Sequence, residues 1–148
     1  MKKATNFLIR EYSTARDMGL LILRLVFAIV LLYGHGYGKM SVILGGQEIQ
    51  FMDPIGIGMV TSFYLAAFAE GICAILLILG LFSRVASLIL TINFMVIFFF
   101  HAYIIGDAFE ILEMRYLYLF TFLALTLMGP GRFSLDYMLF SRGEVSGR

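Results

Sequence analysis

Four long apolar stretches, separated by short polar segments, dominate the pattern of hydrophobic and polar positions along this chain. They cover about residues 19–40, 58–82, 85–105 and 114–129. Because a helix rises about 1.5 Å per residue, about 20 apolar residues cross the hydrocarbon core of a bilayer. The pattern predicts an all-α integral membrane protein, a four-helix bundle in which residues 1–148 form a single domain.

The segments before and between the spans differ in composition. Residues 1–18 are polar and mixed in charge, and we expect them to form a cytoplasmic or interfacial arm. Within it, residues 5–17 should form either a short helix on the membrane surface or a frayed polar arm without regular structure. We expect no cleavable signal peptide, because the first span can serve as its own insertion signal. Residues 41–58 are rich in glycine and contain Pro54, so they should turn and pack on one mouth of the bundle. Ser83-Arg84 should form a tight hairpin between spans two and three.

The tail after the fourth span carries its own stop and start signals. Gly129-Pro130-Gly131 should end the span, and Ser134 or Asp136 could cap a short interfacial helix in the cytoplasmic tail, residues 130–148. Both termini are predicted to be cytoplasmic, because cytoplasmic flanks carry the excess of basic residues. That side would hold Lys2, Lys3, Arg10, Arg16, Arg84, Arg132, Arg142 and Arg148, against Lys39 and Arg115 on the other side.

Composition supports the membrane assignment and excludes two other classes of protein. The chain is 61% hydrophobic and 14% charged, and its mean hydropathy of +0.93 lies far outside the range of soluble domains. Its net charge of +1 offers no basic field for nucleic acid. Cys73 is the single cysteine, so the chain cannot run an internal dithiol/disulfide cycle. This excludes the four-helix, quinone-linked enzymes that form disulfides.

Ionisable residues inside the spans are the candidate functional groups. Each costs about 2.5 to 3.5 kcal/mol in hydrocarbon and should therefore face the bundle interior with a partner. In span one, Arg24 and His35 are eleven residues apart, which is about 1100° of helical rotation and about 20° from whole turns. Lys39 follows His35 by one turn, so all three share one stripe. Glycines around His35 would let a helix or a flat ligand approach the backbone.

Glu70 lies near the middle of span two. A carboxylate at that depth either pairs with a cation or stays protonated, which would suit it to proton transfer. We predict that Glu70 contacts Arg24, approached from span one, and keep proton transfer as the alternative.

A second group of polar residues is expected around the outer mouth of the bundle. Asn93 lies at mid-depth in span three, and the outer ends of spans three and four carry His101, Glu110, Glu113 and Arg115. With His35 and Lys39 they could hold a quinone head group, bind an anion, ligate a metal or form a structural hydrogen-bonded cluster. Haem held by His35 and His101 is a further geometric option. The spacing lacks a metal signature, so we assign no metal site.

Five pieces of sequence, in order, resemble the DoxX family of small four-helix bacterial membrane proteins. They are R-L-V-F-A-I-V-L-L-Y-G-H-G-Y-G-K (24–39), D-P-I-G-I-G (53–58), A-E-G-I-C-A-I-L-L-I-L-G-L-F-S-R (69–84), His101 with Glu113, and G-P-G-R-F-S-L-D (129–136). The resemblance runs over residues 19–137. It implies the bacterial cytoplasmic membrane, and an association with quinone-linked oxidoreductase complexes that some members of the family show. Most members have no assigned reaction, and related animal proteins act in assembly.

Two main hypotheses for function remain open at this point, and enzyme activity is undecided. The first is a redox-associated subunit that binds a quinone, with His35 and His101 on the head-group carbonyls and Glu70, Glu110 or Glu113 relaying protons. The second is a non-catalytic accessory protein that stabilises a larger membrane complex, with other subunits or a second copy as partner. A small transporter is a third reading, which the lack of broken helices and inverted repeats disfavours.

Overall fold

The computed structural model describes residues 13–140, and they form five helices. These are α1 (Ser13–Gly45), α2 (Met59–Leu79), α3 (Ser83–Ile105), α4 (Phe109–Met128) and the short α5 (Leu135–Phe140). The first four are long and apolar enough to cross a membrane, and the described residues contain no strand. The prediction of an all-α bundle with four membrane helices is confirmed. The cytoplasmic location of both termini stays a prediction.

Helix boundaries differ from the predicted spans at several places. Helix α1 has 33 residues and is about 50 Å long, so it extends well beyond a hydrocarbon core of about 30 Å. Its first turns include residues 13–17, while the rest of the predicted surface helix lies outside the described residues. Helix α4 begins at Phe109, five residues before the predicted span.

The turn between α2 and α3 lies earlier than predicted. Residues 80–82 form it, with Gly80 (φ 72°) and Phe82 (φ 48°) in the left-handed region, whereas Ser83 and Arg84 already belong to α3. The Asp136 carboxylate accepts hydrogen bonds from the backbone N–H groups of Phe82 (2.7 Å) and Ser83 (2.8 Å). A carboxylate on these free N–H groups starts α3 at Ser83, which is why the predicted Ser83-Arg84 linker is wrong.

Arg24 anchors the segment after α4 at the end of the bundle where α1 and α3 begin and α2 and α4 end, which we call the terminal end. The Arg24 guanidinium donates to the backbone oxygens of Pro130 (2.7 Å) and Phe133 (2.6 Å), and the residue is only 2% exposed. A Cβ atom on Gly80 would lie 2.9 Å from the guanidinium carbon, so α2 is tightly packed here too. The terminal end is therefore filled by the chain itself.

The two predicted caps of the tail helix have different roles. The Ser134 hydroxyl accepts a hydrogen bond from the N–H of Tyr137 (3.2 Å), so Ser134 caps α5 as expected. Asp136 instead binds the start of α3, and its own N–H donates to the Gly80 oxygen (2.8 Å). The tail helix is thereby attached to the α2–α3 turn.

Packing inside the bundle combines small residues with large apolar ones. Ala28, Leu31, Leu77, Leu90 and Phe122 are completely buried, and together with their neighbours they form one continuous core. The outward faces of the long helices are also apolar, as expected for side chains that contact lipid.

Helices α1 and α2 approach each other closely at Gly36. A Cβ atom on this residue would lie 2.2 Å from the backbone oxygen of Glu70, which is far inside van der Waals contact. Only glycine allows this approach. The crossing fixes which residues of α1 reach the level of Glu70.

Replacement of Gly36 by alanine should therefore destabilise the bundle by about 1 to 3 kcal/mol, the usual range for overpacking a well-filled site. Gly34→Ala is the matched control, because a Cβ there would meet nothing within 4 Å and alanine favours the helix by roughly 0.5 to 1 kcal/mol. Unfolding of both variants in detergent measures the difference. Equal stability of the two would contradict the close crossing.

Candidate functional site

A cavity of about 730 Å³ opens at the opposite end of the bundle, which we call the mouth end. It is lined by residues from all four long helices and from the mouth loop, residues 46–58. At this end the core side chains do not fill the space between the helices, in contrast to the packed terminal end. Its lining is mainly apolar, with a few charged side chains, which is the usual make-up of a small-molecule site.

The deepest polar group of the cavity is a triad of Lys39, Glu70 and Asn93. Lys39 Nζ donates to Glu70 Oε2 (2.5 Å), and Asn93 Nδ2 donates to Glu70 Oε1 (3.1 Å). The Glu70 side chain is 4% exposed and that of Lys39 is 16% exposed. Each carboxylate oxygen therefore has a donor, one of them cationic, as an ionised carboxylate in an apolar site requires.

The predicted contact between Arg24 and Glu70 is wrong, because the two residues lie at different depths. Gly36 is at the level of Glu70, and Arg24 precedes Gly36 by twelve residues, or about 18 Å along the helix. Lys39, only three residues beyond Gly36, reaches the carboxylate instead. Arg24 instead donates through Nη1 and Nη2 to backbone carbonyls at the terminal end.

Aromatic rings form one wall of the cavity. The rings of Phe94 and Tyr118 are stacked with their centroids 4.7 Å apart, and His35 meets Tyr118 edge to face at 6.4 Å. All three residues line the cavity. Flat apolar surfaces of this kind favour a planar ligand.

The rim of the cavity carries a charged cluster of His101, Asp107 and Arg115. His101 Nδ1 lies 2.7 Å from Asp107 Oδ2, and Arg115 Nη2 lies 3.2 Å from His101 Nδ1 and 3.8 Å from Asp107 Oδ2. Asp107 was missed in the sequence, although it follows Gly106 in the turn between α3 and α4. Asp107 lies six residues after His101. Its carboxylate reaches the histidine only because α3 ends at Ile105 and the chain then turns back.

The mouth loop contributes residues to the lining of the cavity and is held by Asp53. The Asp53 carboxylate accepts hydrogen bonds from Ile57 N–H (3.1 Å), Gly58 N–H (2.7 Å) and the Ser62 hydroxyl (2.7 Å). The Ser62 hydrogen bond, followed by those of the backbone, lowers the pKa of Asp53 below its ordinary value. Aspartate thus fixes the start of α2 and, with it, the loop that lines the cavity.

Each of three long helices contains a π-helical segment, and each segment carries one candidate residue. The segments are Leu32–Gly36 with His35, Phe68–Cys73 with Glu70, and Phe100–Ile105 with His101. Such segments are rare, and they occur frequently at functional sites because they redirect a side chain out of regular helical register. Their concentration here makes the mouth cavity the candidate site.

Five of the seven candidate residues from the sequence line the mouth cavity: His35, Lys39, Glu70, His101 and Glu110. Arg24 does not, since it belongs to the terminal end. Glu113 is exposed and is not part of the lining. Within residues 13–140, no group of three or more His, Cys, Asp or Glu side chains could hold a metal ion.

Comparison with protein families gives a match to a family of membrane proteins. The model of the DoxX family matches residues 19–102, more than half of the chain. Searches of curated proteins and of solved structures found no match. The matched region contains most of the first three spans and the whole Lys39–Glu70–Asn93 triad. The resemblance at Glu113 and at residues 129–136 lies outside it and depends on those residues alone.

Double-mutant cycles should distinguish the observed partner of Glu70 from the one predicted first. Lys39→Met and Glu70→Gln should show a coupling energy of about 1 to 3 kcal/mol, because each removes the partner of the other in a buried contact. Arg24→Met and Glu70→Gln should be additive within about 0.5 kcal/mol, since the two side chains share no partner. Unfolding free energies in detergent supply both cycles. Stronger coupling of Glu70 to Arg24 than to Lys39 would contradict the structure.

Proposed function

The chain belongs to the DoxX family of membrane proteins, and on that premise we propose that it is a quinone-binding subunit of a membrane redox complex in the bacterial cytoplasmic membrane. The observation that supports this most strongly is the mouth cavity itself. It combines a planar aromatic wall with a charged donor that lies deep among the membrane helices. A quinone head group is a flat ring with hydrogen-bond acceptors, and it needs both.

Lys39 is the group that would bind the head group most directly. An ammonium has three N–H donors, and the described contact with Glu70 uses one of them. Lys39 lines the cavity and its side chain is partly exposed there. Hydrogen bonds from an ammonium to a carbonyl oxygen are charge-assisted, and they are stronger in an apolar site than in water.

Glu70 and Asn93 would then act as positioning residues. Glu70 holds the ammonium at the head-group level, and Asn93 holds the carboxylate from α3. This changes the roles expected from the sequence, in which Glu70 itself relayed protons, because both oxygens of Glu70 are already engaged. The second carbonyl of the ring would face the rim, where His101 is held by Asp107 and Arg115.

The volume of the cavity supports this class of ligand. About 730 Å³ falls within the range of roughly 300 to 1,000 Å³ that small-molecule sites have. Electrons for reduction of the quinone would come from an electron-transfer subunit of the complex. The chain described here would contribute binding, orientation and the nearby proton-carrying groups.

Binding of quinone to the purified protein tests the proposal. We expect quinone to copurify from the membrane and to raise the melting temperature when added. The double variant Lys39→Met/Glu70→Gln removes the donor without leaving a lone buried carboxylate. It should weaken binding by at least about tenfold, the cost of one hydrogen bond from a charged group.

Glu113→Gln is the matched control, because it also changes a charge near the mouth but lies outside the cavity lining. It should bind quinone like the wild type. Absence of quinone after purification, together with an unchanged melting temperature on its addition, would contradict the proposal. That result would favour the non-catalytic accessory role.

A further inference from the structure

A second apolar groove lies beside the mouth cavity, on the side of α3 that faces away from the bundle. It has a volume of about 430 Å³ and is formed by residues 54–55 of the mouth loop and by residues 95–104 of α3. Every residue that lines it is apolar except Tyr103. The groove occupies the half of α3 nearest the mouth end, on a helix that is long and apolar enough to cross a membrane.

The groove and the cavity have Pro54 and Phe100 in common. These two side chains line both spaces, so no other layer of protein separates them. The cavity and the groove therefore meet between the mouth loop and α3.

Polar and apolar groups are arranged unequally around the cavity. The charged donors Lys39 and Arg115 come from α1 and α4, whereas the side shared with the groove is formed by Pro54 and Phe100. A molecule with a polar ring and a long apolar tail would match both sides at once. Its ring would face Lys39, and its tail would leave past Phe100.

The mouth loop favours the same route. Asp53 holds it through three hydrogen bonds, and Phe51, Met52 and Pro54 place apolar side chains in the lining of the cavity. A ligand arriving from the bilayer would pass along a surface that is already apolar.

We propose that the groove binds the isoprenoid tail of the quinone, and that the ligand enters the mouth cavity from the bilayer between Pro54 and Phe100. The inference rests on the proposed function, since it assigns a tail site to the same ligand. It adds that the ligand is a lipid-soluble quinone with a long tail. A water-soluble ring compound would lack the contacts with the groove.

Affinities of two quinones test this: one carries a long isoprenoid tail, and the other has the same head group without a tail. Both are titrated against the full chain in lipid nanodiscs of fixed composition. Val96→Trp fills the groove from α3, and Ile104→Trp does so from its outer end. Each variant should weaken the affinity for the tailed quinone by about tenfold, a typical cost of overpacking. The affinity for the tailless quinone should change by less than about twofold.

Leu88→Trp is the matched control, because Leu88 is an exposed apolar residue of the same helix that lines neither space. It should leave both affinities unchanged. The tail site would be overturned if the groove variants weakened the affinity for both quinones equally, or weakened neither. In both cases quinone binding by the wild type would still stand. Failure of the wild type to bind either quinone would overturn the proposed function, and the tail site with it.

Discussion

An ionised carboxylate in the middle of an apolar helix bundle requires a partner, and the pairing of Glu70 with Lys39 determines much of this structure. Lys39 reaches Glu70 because Gly36 lets the backbones of α1 and α2 approach to a distance that no side chain would allow. Asn93 then attaches α3 to the same carboxylate. One ionisable group thus fixes three helices at one level. The hydrogen bonds from Lys39 and Asn93 offset the cost of placing this carboxylate in hydrocarbon.

The two ends of the bundle consequently differ in what they can do. At the terminal end, Arg24 donates to backbone oxygens of the tail, and Asp136 binds the start of α3, so the chain fills its own interior. At the mouth end, the triad holds the helices together at depth, while the space above it stays open. A stable scaffold and an open site are thereby separated along the axis of the molecule, which is a suitable arrangement for binding a ligand.

Much of this architecture follows from the sequence alone. Apolar length predicted the four spans, and the cost of buried charge singled out Lys39, Glu70 and His101 as residues with partners. The partner of Glu70 was predicted wrongly because helical periodicity reports the face of a residue but not its depth relative to another helix. Depth depends on the Gly36 crossing. Asp107 was missed because its contact with His101 exists only once the end of α3 has turned back.

Infrared difference spectroscopy of the full chain in lipid, comparing wild type with Glu70→Gln, reports whether Glu70 is ionised. A carboxylate that accepts hydrogen bonds from an ammonium and an amide should be ionised. The substitution should therefore remove a carboxylate band and leave the protonated carboxyl region unchanged. Loss of a protonated carboxyl band would contradict it, because Glu70 would then be a neutral acid and its contact with Lys39 would not be an ion pair.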